Sequence, residues 1–337
     1  MKGPITSISD IARELGVSAS TVSRALKNHP DISEATRTRV QAFAQQVNYR
    51  PNALAIGLKH QKSNTIGVII PEIVHHFFSS IISGIEELAY SKGYRVMICQ
   101  SNEDQRREEV NLQALLDHRV DGLLASISKG SIDCSHFRRA ALNQIPVVFI
   151  DRVCWELESD RVITDDYQGA RLVCSHLIER GSRHIMHLGT PQDLAIGVER
   201  YRGYCQALAD HDISLDKGLV FQHDTPQKVW AFKDQLLAKA SRIDGIFAVN
   251  DPTAIAAMKI LQDAGFAIPG QIRVAGFGDD PVASMVNPTL TTVEQKGYEM
   301  GREAVDLLIR RLNCKTSAGY VFQTKVFAAT LKTRDST

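Results

Sequence analysis

Residues 16–26 read Gly-Val-Ser-Ala-Ser-Thr-Val-Ser-Arg-Ala-Leu, and this stretch decides how the N-terminal part of the chain folds. Gly16 stops a preceding helix, because glycine turns into the left-handed region at little steric cost. Val17 fills the corner, and Ser18 can cap a second helix by accepting from its free backbone N–H groups. That helix runs over about residues 19–26. Val22 and Leu26 face inward, while Ser20, Thr21, Ser23 and Arg24 point outward. Short polar side chains with one arginine let a helix lie close in a major groove, and Arg24 can grip a guanine by two hydrogen bonds.

Working outward, Ser7 and Asp10 form a capping pair ahead of Ile8, Ile11, Ala12 and Leu15, which recur at helical spacing. On the other side Ser33 caps a third helix carrying Val40, Phe43, Ala44 and Val47 on one face, enough to close a three-helix core. Next comes Tyr-Arg-Pro-Asn-Ala-Leu-Ala-Ile-Gly-Leu-Lys over residues 49–59. Pro51 suits an early helical position, and Asn52 onward reads as helical until Gly57 weakens it. A stretch of about eight residues does not hold a helix alone in water. It therefore orders against something else.

The charge is divided to match. Residues 1–62 hold nine Lys/Arg against four Asp/Glu, whereas the remainder holds 30 against 34, so a net charge of +1 conceals a basic head on a mildly acidic body. A basic head suits a polyphosphate partner. The six cysteines are scattered without a close pair, so neither a metal knuckle nor a disulfide framework is expected, and no cofactor. No apolar run approaches a membrane span and residues 1–10 lack the apolar stretch of a signal peptide; a cytoplasmic protein without membrane attachment is expected.

From Thr65 onward short apolar runs alternate with amphipathic helices. Strands are expected at 65–71, 94–99, 122–126 and 147–151, and a second series at 161–164, 184–189, 245–249 and 273–277, with helices between them. Continuous apolar strands alternating with helices imply parallel sheets covered on both faces. A repeat supports two similar lobes: Arg-Val-Asp-Gly-Leu-Leu-Ala (119–125) parallels Arg-Ile-Asp-Gly-Ile-Phe-Ala (242–248). Ligands in such sheets sit beyond the C-terminal ends of strands. The candidates are His75, His76, Phe77, Phe78, Ser126, Ser128, Asp151 and Arg152 in the first lobe, and Arg200, Asn250, Asp251 and Asp279 in the second. Aromatic faces mixed with polar groups suit a sugar or other polyol. His184 and His187 read as strand filler. The chain has no phosphate-binding P-loop, no Gly-x-Ser-x-Gly and no His-Glu-x-x-His, so an enzyme is not expected.

The segment at 16–26 followed by Val-Asn-Tyr-Arg-Pro-Asn-Ala-Leu-Ala-Ile-Gly-Leu-Lys (47–59) resembles the lac repressor/galactose repressor family of bacterial transcription regulators, and the likeness continues through the chain. The resemblance implies an all-α helix-turn-helix headpiece over residues 1–50, a hinge helix and linker over 51–62, and an α/β two-lobed, periplasmic-binding-protein-like sensor with parallel sheets over 63–337. Lobe 1 would comprise about 63–161 and 293–325, and lobe 2 about 162–292 and 326–337, with 290–294 and 326–330 returning the chain between lobes.

The resemblance further implies base contacts from Ser18, Ala19, Ser20, Ser23 and Arg24, with Thr21 on phosphate and Ser7 and Tyr49 completing the headpiece set. Leu58 would wedge into the minor groove, with Asn52, Ala55 and Lys59 along it. Arg200 fits the family's Arg-x-x-Gly-Tyr/Trp motif, Asn250-Asp251 its paired polar residues, and His75, Phe77 and Gln295 other pocket positions. Gly278 stands where many relatives carry an aspartate, with Asp279 beside it. The partners implied are a palindromic operator, a sugar-like effector and a second copy of the chain, since no leucine heptad for tetramers follows. The function implied is an allosterically controlled repressor of carbohydrate-utilisation genes.

Overall fold

The structure is a computed structural model and describes residues 7–49, 62–131, 133–191, 194–314 and 320–337. The chain divides into two compact units at Ser63/Asn64.

In the first unit α1 (Ile8–Leu15), α2 (Ala19–Leu26) and α3 (Glu34–Gln46) form a bundle whose starts follow from local chemistry. Ser7 Oγ accepts from Asp10 N at 3.2 Å while the Asp10 carboxylate accepts from Ser7 N at 3.1 Å, a reciprocal cap. Gly16 ends α1 at φ 65°, where a side chain would be strained. Ser18 Oγ then accepts from Thr21 N at 3.0 Å to start α2. Ile11, Ala12, Val22, Ala25, Val40 and Ala44 make the core, with Leu26, Phe43 and Tyr49 packed at its edge. Leu26, expected inside, is half-buried; Ala25, one helical turn after Val22, takes the inner place. Asn52, Ala55, Leu58 and Lys59, with the expected hinge helix, lie outside the described residues.

The second unit contains two parallel sheets. Lobe 1 is a six-stranded sheet in the order β11-β5-β4-β3-β1-β2, from β1 (Thr65–Ile70), β2 (Arg95–Gln100), β3 (Gly122–Ala125), β4 (Val147–Ile150), β5 (Asp160–Thr164) and β11 (Thr324–Phe327). Helices α4 (His76–Ser91) and α12 (Gly297–Asn313) cover one face; α5 (Gln105–Asp117) and α6 (Arg138–Leu142) cover the other. Lobe 2 is a four-stranded sheet in the order β7-β6-β8-β9, from β6 (Ile185–Leu188), β7 (Val220–Phe221), β8 (Gly245–Ala248) and β9 (Arg273–Ala275). There α7 (Asp166–Glu179) and α8 (Ala195–Asp210) cover one face; α9 (Pro226–Ala231), α10 (Lys233–Ala240) and α11 (Asp251–Asp263) cover the other. A small antiparallel pair, β10 (Thr292–Glu294) with β12 (Thr330–Lys332), lies along the connections. No described helix is long and apolar enough to cross a membrane.

Two expectations are corrected here. The strand at 161–164, assigned above to the second series, pairs with β4 and β11 and belongs to lobe 1. The strand at 324–327 likewise stays in lobe 1 to Phe327, so the last crossing begins later than residue 326. The chain therefore changes lobe around residues 165, 295–296 and 328–329. The elements β7, α9 and α10 had no counterpart in the sequence reading.

The internal repeat has a physical cause. Asp121 accepts from Asn64 N at 3.0 Å, fixing the start of β3 to that of β1. Asp244 accepts from Arg183 N and His184 N at 2.9 and 2.7 Å, fixing β8 to β6. In lobe 2, Gly203 lets α8 touch α7: a methyl there would lie 2.3 Å from the Tyr167 carbonyl oxygen. Gly203→Ala must part these helices and is expected to cost about 1–3 kcal/mol in urea unfolding; an unchanged midpoint would show that they slide at no cost.

Candidate functional site

The headpiece presents an exposed face at the start of α2. Ser18, Ala19, Ser20 and Arg24 are exposed, and Thr21 and Ser23 half-buried, all on the side away from Val22 and Ala25. Ser18 Oγ lies 2.7 Å from Ser20 Oγ and 2.8 Å from Thr21 Oγ1, so the cap also orders the hydroxyls of that face. Among the described residues Arg24 reaches Asp31, at 3.8 Å, and its side chain remains largely exposed. Ser7 and Tyr49 sit elsewhere: Ser7 is spent on its cap, and Tyr49 packs at the core edge with its N–H on the Ala44 carbonyl. Burial raises the Tyr49 phenol above its usual range.

In the sensor body both sheets turn their strand C-termini toward one another, and the polar residues beyond those ends form the candidate cleft. On the lobe 1 side Ser126 follows β3 and Asp151-Arg152 follow β4. All three are buried, and Ser126 Oγ, Asp151 Oδ1 and Arg152 Nε have no hydrogen-bond partner among the described residues. Asp151 Oδ2 lies 3.9 Å from Arg152 Nε, too far for a hydrogen bond. Burial, reinforced by Asp166, pushes the Asp151 carboxyl up to about 6, against the pull of Arg152 and Arg200. Three orphaned polar atoms in a buried place are rare unless something else satisfies them. Arg152 is aimed by Glu103, whose carboxylate takes two bonds from its Nη1 at 2.8 and 2.9 Å, and by the Phe78 ring at 5.5 Å. Asn102, Glu103, Asp151 and Asp279 all hold positive φ, from 52° to 63°, a strain concentrated on this rim.

On the lobe 2 side Arg200, from α8, is buried over the Phe277 ring at 3.8 Å. Its Nε donates to Asp166 Oδ1 at 2.7 Å and its Nη1 to the Val249 carbonyl at 2.6 Å. Burial raises the Asp166 carboxyl, and Arg200 counters it. Asn250 caps α11, accepting from Thr253 N at 2.9 Å and donating to the Asp224 carbonyl at 2.8 Å. Asp224, beyond β7, accepts from Thr190 at 2.9 Å and pairs with Lys228 at 2.8 Å. Across the cleft it also meets Lys129 of lobe 1 at 2.7 Å. Although its burial opposes ionisation, these donors bring the Asp224 carboxyl down to about 2.

The structure thus brings together Ser126, Asp151, Arg200, Asn250 and Phe78. Asp251 is buried beside them but committed: it accepts from Thr292 Oγ1 at 2.5 Å and Asp280 N at 2.7 Å, and burial raises it to about 6. Asp279 is held by Arg334 at 2.6 Å. Gln295 donates to Thr164 Oγ1 at 3.3 Å across the lobe connection. Phe77 is half-buried against the core under α4. His75 is largely exposed and paired with Glu72 at 2.7 Å, and His76 is exposed.

Ser128 is not a cleft group: its N and Oγ both donate to buried Glu108, which also binds His136 and Ser131. His187 is buried in a stack with Tyr204 and Phe247, and burial lowers it to about 4. His184 differs from a strand filler; it is exposed, 3.6 Å from Asp244. Sequence reasoning missed Glu103, Lys129, Asp166 and Asp224. The acidic residue opening α7 was the one available signal.

Comparison with known proteins gives a consistent result. A family model described as bacterial regulatory proteins, lacI family, matches residues 7–52, and one described as periplasmic binding protein-like domain matches residues 174–337. The ribose operon repressor of Halalkalibacterium halodurans is 32% identical over 320 residues, spanning 95% of this chain and 94% of that protein. A periplasmic binding protein/LacI transcriptional regulator from Alkaliphilus metalliredigens, solved with D-xylulofuranose, is 30% identical with a TM-score of 0.72 over 81% of this chain and 99% of that one. The lac repressor dimer bound to operator and an anti-inducer shares the fold, with a TM-score of 0.83, 24% identity and 99% of each chain covered.

Proposed function

The chain belongs to the lacI family of bacterial regulatory proteins, and from that premise we propose that it represses carbohydrate-utilisation genes in the cytoplasm. It binds a palindromic operator as a homodimer, with Ser18, Ala19, Ser20, Ser23 and Arg24 reading bases and Thr21 on phosphate. Residues 51–62 act as the folding-coupled hinge, where Leu58 kinks the duplex while Asn52, Ala55 and Lys59 follow the minor groove. A sugar-like effector in the cleft changes lobe closure, and closure changes how the two hinges are held; such a two-state element is what allosteric control requires. The body senses and does not catalyse. Relatives named as ribose operon repressors and a neighbour holding a pentulose support the carbohydrate class.

The observation that carries this reading is the set of orphaned atoms at Ser126, Asp151 and Arg152, in a chain whose headpiece presents a small-residue helix face with a solvent-exposed arginine. Selection of sites from random duplex DNA by the full-length protein should enrich a palindrome. Arg24→Ala should weaken that site by about 1–3 kcal/mol, roughly 5- to 150-fold, and relax preference at one base pair per half-site. Uniform weakening at every sequence would instead place Arg24 on phosphate. Adding ribose, xylulose or a cell-extract metabolite pool should shift the affinity; no shift with any of them counts against the sensor reading.

A further inference from the structure

The charged groups beyond the strand ends pair off almost completely. Arg152 is taken by Glu103. Arg200 is taken by Asp166. Lys129, from the lobe 1 loop after β3, and Lys228, on α9, are both taken by Asp224. Asp224 has a side chain only 1% exposed, anchored by Thr190, whereas Lys228 is half exposed and directs its surplus charge toward solvent. Asp151 differs from the other carboxyls of the set: its Oδ1 has no hydrogen-bond partner among the described residues, and its nearest cation, Arg152, stands 3.9 Å away and is turned to Glu103. A phosphate or carboxylate entering this cleft finds each of these cations already facing a carboxylate, with the surplus charge of Lys228 on the solvent side, and it meets Asp151 as well.

The position of Asp224 gives this balance its meaning. Two ammonium groups from opposite lobes converge on one point, which is how proteins hold a phosphate. Here the protein's own buried carboxylate occupies that point. Like-charge juxtaposition in a poorly solvated site is among the stronger means of rejecting a ligand. We propose that the cleft excludes anionic effectors and admits neutral, hydroxyl-bearing ones, and that Asp224 is the specificity-determining residue because it fills the anion position between Lys129 and Lys228. This rests on the cleft being the effector site. The unsatisfied atoms agree with it: Asp151 Oδ1 accepts, Arg152 Nε donates and Ser126 Oγ does either, a set that a sugar's hydroxyls satisfy without charge.

The test is calorimetric titration of the full-length protein with ribose against ribose 5-phosphate and glucose against glucose 6-phosphate, beside melting in inorganic phosphate against chloride at equal ionic strength. A neutral sugar binding at least about 100-fold more tightly than its phosphate ester supports the proposal. An ester binding as tightly or more tightly overturns it. The phosphate arm decides the matter even if no sugar in the panel binds, which would count against the carbohydrate reading alone. Asp224→Asn should gain a phosphate-dependent rise in the melting of the sensor body that the wild type lacks, and Lys129→Met added to it should abolish that gain. An equal rise in wild type and Asp224→Asn overturns the proposal. Phosphate on the basic headpiece cancels in that comparison. Should Asp224→Asn fail to fold, Asp224→Ser replaces it in the same comparison: a phosphate-dependent rise that the wild type lacks supports the proposal, and its absence overturns it.

Discussion

Arg200→Ala is expected to destabilise the sensor body by about 3–5 kcal/mol in urea unfolding, the range for breaking a buried ion pair from one side. Arg200 is 5% exposed, and its guanidinium donates to Asp166 and Val249 and covers the Phe277 ring. Removing it leaves Asp166 buried and unpaired. Burial already raises that carboxyl and Arg200 restrains it, so without Arg200 it rises further. A carboxyl raised in the folded state binds its proton more tightly there than in the unfolded chain, so stability is present at low pH and lost as pH rises through the folded value. The deficit of Arg200→Ala should therefore shrink in mild acid. Arg200→Met with Asp166→Leu should recover most of the stability and none of the effector response. A single variant with the wild-type midpoint would mean that solvent reaches Asp166 freely, contrary to its 6% exposure.

Asp151→Asn should do the opposite to stability. Its carboxyl is pushed from the ordinary 3.8 to about 6, chiefly by burial and next by Asp166. Above pH 6 the folded protein carries the whole cost of that buried charge. One pK unit corresponds to about 1.4 kcal/mol, so the neutral, equally sized amide should stabilise the ligand-free protein by about 2–3 kcal/mol. The gain should vanish near pH 4, where the wild-type carboxyl is protonated in the folded state, and grow as pH rises toward 6. Asp251, also raised to about 6, keeps the same slope in both proteins, whereas Asp224, at about 2, acts in the reverse direction and only in stronger acid. Effector affinity should fall at least tenfold as the charged acceptor is lost. Loss of both stability and affinity would show that Asp151 is a structural anchor. A residue that costs stability and serves a ligand is the usual bargain at a binding site.

Much of this architecture was legible in local signals. The headpiece could be read because each helix start carries its own cap (Ser7, Ser18, Ser33) and one turn needs Gly16. The lobes could be read because Asp121 and Asp244 repeat the same strand-to-strand tie. The failures are equally local. The strand β5 was given to the wrong lobe because it immediately precedes a crossing, and nothing in Arg-Val-Ile-Thr says which sheet receives it. The two-residue strand β7 was too short to register, which hid Asp224 behind it. Ser128 stands after a strand end like Ser126, yet turns to Glu108; that choice depends on a helix twenty residues earlier in the chain. Lys129 and Asp224 are 95 positions apart, and only the packing of the two lobes makes them neighbours.

The three lobe crossings also bear on how the protein is made. Lobe 1 is assembled from two separated pieces of chain, with α12 and β11 supplied by residues 297–313 and 324–327. Lobe 2 waits on Ser336, fully buried, whose Oγ donates to the Val274 carbonyl at 2.6 Å and accepts from Thr291 N at 2.8 Å. On the ribosome the three-helix unit at 7–49 can close early, while neither lobe can finish its core until nearly all the residues described here have emerged. A chain cut short before Ser336 would therefore carry a folded headpiece on an unfinished sensor, a product for quality control to remove.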